Sequence, residues 1–319
     1  MLYLTEDDVG RVLRMADAVR AVDAGLQARA RHAAVDTPRE RTRTPAGTLN
    51  ILQAATAPDV GVTGFKAYYV TPQQSRSHTF LYDSASGTPL AILESNRFNV
   101  VRTGAATGVA TQYLARPDAA VLGQLGAGRI GTGQLEAVCA VRKLREVRVY
   151  APTRDKLEAW CAAMTEKVGI PVLPAASGEA AVRGADIVNV ITRATAPVLA
   201  GDWLEAGQHV NAAGANQFMK RELHADALRR FDLIVADSRE VARKEGGELL
   251  PLVESGRLQW EALAEIGDVA AGLRPGRTDA KQITFYKSHG MALQDLYVAA
   301  GVLAEARRLG LGHDIPGTA

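Results

Sequence analysis

Residues 119–131 read AAVLGQLGAGRIG, an apolar run that breaks at a glycine and resumes with helical character, with glycines at 126, 128 and 131. A G-x-G-x-x-G string alone is a weak signal, but between a strand and a helix it specifies one kind of turn. Gly126 permits the tight bend, Gly128 lets backbone approach a diphosphate, and Gly131 lets helix and strand pack closely. The amides that open the helix, around Arg129 and Ile130, then face the anion. The chain should therefore hold a dinucleotide on a Rossmann fold.

Selectivity between dinucleotides is set at the tip of the next strand, about twenty residues on, where an acid usually binds the ribose hydroxyls of NAD. Here the tip reads Val149-Tyr150-Ala151-Pro152-Thr153-Arg154, with no acid, and Asp155 falls in the first helical turn, where the helix dipole favours it. Thr153 and Arg154 could instead hold a 2′-phosphate. This favours NADP(H), with NAD(H) as the alternative. Arg154 also fits an exposed helix position.

The rhythm around this turn divides the 319 residues into two textures. Before it, Thr5 with Asp8 marks a helix start, and Asp17 opens a longer amphipathic run to about Ala33. Strand-like stretches follow at 39–44, 48–54, 62–70, 79–83 and 88–94, with Gly87 turning a hairpin, which predicts an antiparallel meander and an α+β unit. The Ala-rich stretch 103–114 reads as a bridging helix. From 116 onward strands near 119–125, 146–151, 171–175, 185–192, 209–213 and 231–237 alternate with helical stretches. That pattern predicts a parallel sheet covered on both faces. The last helix, beginning after Ser288, is too long for another crossover and should return to the first unit. The expected fold is α/β. A Rossmann domain covers 116–289, and a discontinuous α+β domain for substrate and dimerisation covers 1–115 and 290–319.

Several function classes are excluded. A net charge of +2 gives no footprint for nucleic acid, and no run of eighteen apolar residues predicts a membrane helix. The six histidines are scattered without metal-ligand spacing, so no metal is expected. The start, MLYLTEDDVG, carries acids where a signal peptide needs a basic start, and Cys139 and Cys161 read as separate thiols. The expected compartment is the cytoplasm.

Taken together, the motifs resemble the ornithine cyclodeaminase/mu-crystallin family over nearly the whole chain. The matching stretches are Arg39 to Pro45, Lys66 in GFKAYYV, Arg102 to Ala106, the glycine turn and HVNAAGAN followed by Arg221-Glu222-Leu223. Val235 to Ser238, the PGR at 275–277 and Lys287 to Ala292 with Asp295 complete the set. The resemblance implies a homodimer and a small α-amino or α-imino acid substrate. Family activities include ornithine cyclodeamination with recycled NAD, reduction of cyclic ketimines, and interconversion of alanine and pyruvate. Some members are lens proteins and hormone binders.

A substrate carboxylate calls for cations, above all guanidinium. Arg39, Arg41 and Arg43 alternate along one strand, so one face would carry all three. Arg41 best fits the carboxylate-binding arginine of the family, with a register open by two residues, while Arg39 and Arg43 fit a solvated face equally well. Lys66 lies in an apolar and aromatic run, where an ammonium either snorkels or functions. Arg102 opens the bridging helix toward the dinucleotide. Thr192 and Ser288 are expected in the cofactor groove.

Asn216 departs from the family, whose cyclodeaminating members resemble one another in placing aspartate after the Gly-Ala pair. An amide orients but cannot relay protons at neutral pH. Asn216 also fits a turn cap. His289 reads either as a proton donor or as a satisfied loop histidine. The expected activity is NAD(P)H-dependent reduction of a cyclic imino acid or dehydrogenation of a related small α-amino acid, with Lys66, Arg41, Arg102 and Asn216 around the substrate. The alternatives are ornithine cyclodeaminase and a non-catalytic NADP(H)- and ligand-binding protein.

Overall fold

The computed structural model describes residues 1–316, so the last three residues of the expected 290–319 segment lie outside the described residues. Two sheets organise the chain. The first contains β1 (Leu2–Leu4), β2 (Val35–Thr44), β3 (Gly47–Ala55), β4 (Val62–Val70), β5 (Ser75–Asp83) and β6 (Pro89–Glu94), with helices α1 (Glu6–Val12) and α2 (Met15–Ala30) between β1 and β2. Helix α3 (Asn96–Leu114) leads to the second sheet. That sheet contains β7 (Val121–Leu125), β8 (Glu146–Tyr150), β9 (Val172–Pro174), β10 (Ile187–Val190), β11 (His209–Ala212), β12 (Leu233–Ala236), β13 (Ala264–Glu265) and β14 (Thr284–Lys287). Its intervening helices are α4 (Arg129–Val141), α5 (Arg154–Val168), α6 (Gly178–Val182), α7 (Ala225–Leu228), α8 (Arg239–Glu245), α9 (Leu250–Glu254) and α10 (Ile266–Ala270). Helix α11 (Ala292–Arg308) and β15 (His313–Asp314) close the chain.

The first sheet has the order β15-β1-β6-β5-β4-β3-β2. Strands β2 to β6 form the antiparallel meander that alternation and turn residues predict. Two short strands escape that reading: β1 adds in parallel to β6, and β15 pairs antiparallel with β1. Three residues carry too little periodicity to announce a strand. In β2 the register slips between Thr37 and Glu40, where Pro38 offers no N–H to the ladder. The buried face of α11 joins α2, α3 and the inner face of this sheet in one core, so the end of the chain does return to its beginning. Reciprocal capping by Thr5 and Asp8 starts α1 as expected, and α3 begins at Asn96, seven residues before the Ala-rich stretch.

The second sheet runs β13-β12-β14-β11-β10-β7-β8-β9, every neighbour parallel, as a Rossmann sheet requires. Strand order reverses between β7 and β10, and a crevice opens at their carboxyl ends. Helix α3 lies against α4 so closely that a Cβ on Gly104 would sit 2.2 Å from the Gly133 carbonyl oxygen. The bridging helix therefore carries its own side chains to the edge of the glycine turn.

Candidate functional site

A cavity of about 460 Å³ occupies that crevice, between the inner face of the first sheet and the carboxyl ends of β7, β10 and β11. Its wall includes Arg39, Arg102, Arg129 and Arg193 and, among the described residues, no aspartate or glutamate. Such a cavity favours anions.

The dinucleotide end is built by the turn. Gly126 has φ +111°, and a Cβ there would lie 2.2 Å from the Ile191 carbonyl oxygen, so the bend admits only glycine. A Cβ on Gly128 would meet nothing within 4 Å, and no side chain caps α4. The first-turn amides thus face open space, the arrangement a diphosphate needs. Arg129 and Ile130 line the cavity, and Arg129 donates to the Asn96 carbonyl at 2.6 Å, joining the turn to the start of α3. The residues present fit a bound dinucleotide. Thr192 and Ser288 also line the wall. Thr153, at the N-cap of α5, and Arg154 lie outside it; Arg154 is half exposed and pairs with Glu158 at 2.6 Å.

The opposite end holds the cations. Lys66 on β4 is buried just behind the wall, where its Nζ donates to Asp295 at 2.9 Å and to Asn99 at 3.1 Å. Arg102 Nε lies 2.7 Å from the same Asp295 oxygen, and its NH2 donates to Asn99 at 2.8 Å. Two cations thus share one carboxylate and one amide. Burial, and then the adjacent guanidinium of Arg102, push the Lys66 ammonium down to about 7.

The arginines of β2 separate. Arg39 is buried on the cavity wall, donating to the His289 carbonyl at 2.8 Å and stacking 5.9 Å from the Tyr68 ring centre. Arg41 is not among the lining residues; it pairs with Glu245 at 2.7 Å and donates to the Asn216 carbonyl at 2.9 Å. Arg43 is exposed. The bulge in β2 sets this register, and alternation alone could not reveal it. Asn216 lines the wall on a loop that Arg41 steadies.

Several positioning residues have no role in the sequence reading, although Glu222 and Asp237 lie within its matching stretches. Glu222 gathers two loops, accepting from the Thr192 amide and hydroxyl at 2.6 and 2.8 Å and from the Gly214 and Ala215 amides at 2.7 and 3.0 Å. Asn99 stands one helical turn before Arg102, so helical spacing could have singled it out. Asp237 caps the segment from Ser288 to Gly290.

Comparison with known proteins agrees with this geometry. The sequence model of the ornithine cyclodeaminase/mu-crystallin family matches residues 1–308. A Delta(1)-pyrroline-2-carboxylate reductase of Bacillus cereus is 34% identical over 273 residues, 83% of this chain and 84% of the relative. The structure of the Thermococcus litoralis Delta(1)-pyrroline-2-carboxylate reductase, in complex with NADH and L-proline, superposes with a TM-score of 0.93 at 29% identity, covering 99% of this chain and all of the other. An archaeal alanine dehydrogenase dimer with bound NAD gives a TM-score of 0.92 at 31% identity over 99% of this chain and 98% of the other. With the glycine turn, the shared Asp295 and the order of both sheets in place, this chain belongs to the ornithine cyclodeaminase/mu-crystallin family.

Proposed function

We propose that this protein is an NAD(P)H-dependent reductase of a cyclic imino acid such as Δ1-pyrroline-2-carboxylate, working in reverse on the corresponding amino acid. The observation that carries this reading is one continuous cavity with a dinucleotide turn at one end and buried cations at the other. Bound dinucleotide would supply the hydride; the protein supplies position and electrostatics. Arg39 and Arg102 hold the substrate carboxylate, with Lys66 adding charge from behind and Arg41 setting the Asn216 loop. Asn216 favours reduction over cyclodeamination, because an amide cannot shuttle the protons that ammonia loss demands. Residues 1–115 with 290–319 supply the substrate and dimer contacts, and 116–289 the dinucleotide site. The unpaired thiols of Cys139 and Cys161 suit the cytoplasm.

NADP(H) is the preferred cofactor on this reading, since no acid stands at 151–153 to repel a 2′-phosphate. The test is NAD(P)H consumption with Δ1-pyrroline-2-carboxylate, a six-membered homologue and pyruvate plus ammonia, alongside release of ammonia from L-ornithine. Turnover of the cyclic imines, faster with NADPH, is expected, and Arg154→Ala should narrow the gap between cofactors. Ammonia release without imine reduction overturns the reductase, and equal or better use of NADH overturns the cofactor preference.

A further inference from the structure

His289 stands on the cavity wall without a part in the carboxylate or dinucleotide contacts described above. Its side chain is fully buried, Nδ1 lies 3.2 Å from Asp237 Oδ1, and Nε2 has no partner. A buried ring nitrogen is rarely left unpaired, and the cavity is where a partner can come from. Asp237 is firmly held: its Oδ2 accepts from the His289 and Gly290 amides, each at 2.7 Å, and from the Ser288 hydroxyl at 3.3 Å. Burial acts to raise this carboxyl, but the contacts with His289 and Gly290 outweigh it and keep it below the usual range. An ionised carboxylate beside Nδ1 retains a proton there, so Nε2 becomes the nitrogen that gives and takes one.

The surrounding charges hold the loop of His289 among the cations proposed to bind the carboxylate. Arg39, from β2, grips the His289 carbonyl. Arg102, from α3, approaches so closely that a Cβ on Gly290 would sit 2.8 Å from its NH1. Glu245 on α8 balances Arg39, while the Asp237 charge is also felt by Arg39 and Asp36 on β2 and by Tyr286 on β14. The two guanidinium groups thus bracket the backbone of His289.

We propose that His289 Nε2 is the proton donor to the substrate nitrogen, with Asp237 as its positioning residue; this rests on the reductase reading. The C=N π bond breaks as the carbon takes the hydride that bound dinucleotide supplies. The nitrogen takes the Nε2 proton. The products are an amine, an oxidised dinucleotide and a neutral imidazole that keeps its Nδ1 proton against Asp237, and solvent restores the proton on Nε2. In the oxidative direction the same nitrogen accepts the proton.

Two measurements on the full-length protein test this. Nitrogen NMR of the cofactor-free protein, with His289→Asn identifying the resonance, should show Nδ1 carrying its proton against Asp237. In imine reduction, kcat of the wild type should depend on pH, and His289→Asn and His289→Gln should alter that profile. Their kcat should fall about 10²-fold, with KM and dinucleotide affinity within about threefold of wild type. An Nδ1 without its proton, or variants that keep the wild-type kcat and pH profile, overturns the relay alone. A wild type that reduces no imine overturns the reductase reading and the relay together.

Discussion

Lys66 bears the largest displacement from ordinary lysine behaviour at the site, and its chemistry follows from where β4 puts it. Desolvation and the Arg102 guanidinium bring it to about 7, against the pull of Asp295. The ammonium form therefore dominates below that pH and the free amine above it. An arriving carboxylate favours the ammonium form, so binding should tighten as pH falls through 7 and take up a proton when it occurs above 7. Calorimetry of L-proline binding to the NADH-loaded protein, in two buffers of different ionisation enthalpy, measures both. Affinity that is flat across neutrality would refute the assignment. Lys66→Met should abolish the pH dependence and lower kcat/KM by about 10² to 10⁴-fold. Folding should survive, because Arg102 still lies 2.7 Å from Asp295. Burial of a lysine lowered to about 7 disfavours the folded state below that pH, and the penalty fades as pH rises toward the ordinary lysine range. The methionine variant should therefore melt no lower than wild type at acid pH.

At the scale of elements, the glycine turn separates fold from function. Gly126 is held by φ +111° and by the Ile191 carbonyl, so Gly126→Ala should cost about 2–4 kcal/mol and lower the melting temperature. Gly128 has an ordinary φ of −92° and open space beside it. Gly128→Ala should melt within a few degrees of wild type, yet bind dinucleotide about tenfold more weakly, since its methyl occupies diphosphate space. Equal dinucleotide affinity by fluorescence titration would remove the turn from the site. This element was legible in sequence because each glycine has a separate steric reason. The meander and the alternation of strands and helices were legible for the same kind of reason, being periodic over many residues. What escaped reading depends on single events in three dimensions. The slip at Pro38 decides that Arg39 reaches the cavity while Arg41 turns to Glu245. The start of α3 at Asn96 adds Asn99 to the same helix face as Arg102. The strand β15 matters only because β1 is there to receive it.

At the scale of the whole molecule, the first sheet has one face buried and one left bare. Leu52, Lys66 and Thr79 point inward in register, while their neighbours Gln53, Phe65 and Phe80 form the matching outward row. Phe65 and Phe80 stack at 4.6 Å on that outer face, and Ile51 is 38% exposed beside them. The alternation that fills the inner core leaves Phe65, Phe80 and Ile51 outside it, and apolar side chains grouped on a sheet face call for a partner. Five strands of about nine residues make a face of roughly 30 by 24 Å, or about 700 Å². That is close to the 800 Å² or so that each partner brings to a stable interface. Two copies related by a two-fold axis would cover both faces at once, because the same patch meets itself, and the cavity on the inner side would stay open. We therefore expect a homodimer through the outer face of β2 to β6, seen by light scattering at micromolar concentration. Phe65→Glu places a carboxylate at the centre of the face, where two copies would bring like charges together without water. That variant should run as a monomer with wild-type helix content, while Arg243→Glu, on α8 in the second sheet's half of the chain, should leave the dimer intact. A wild type that is monomeric at that concentration would leave this face uncovered and rule out this assembly.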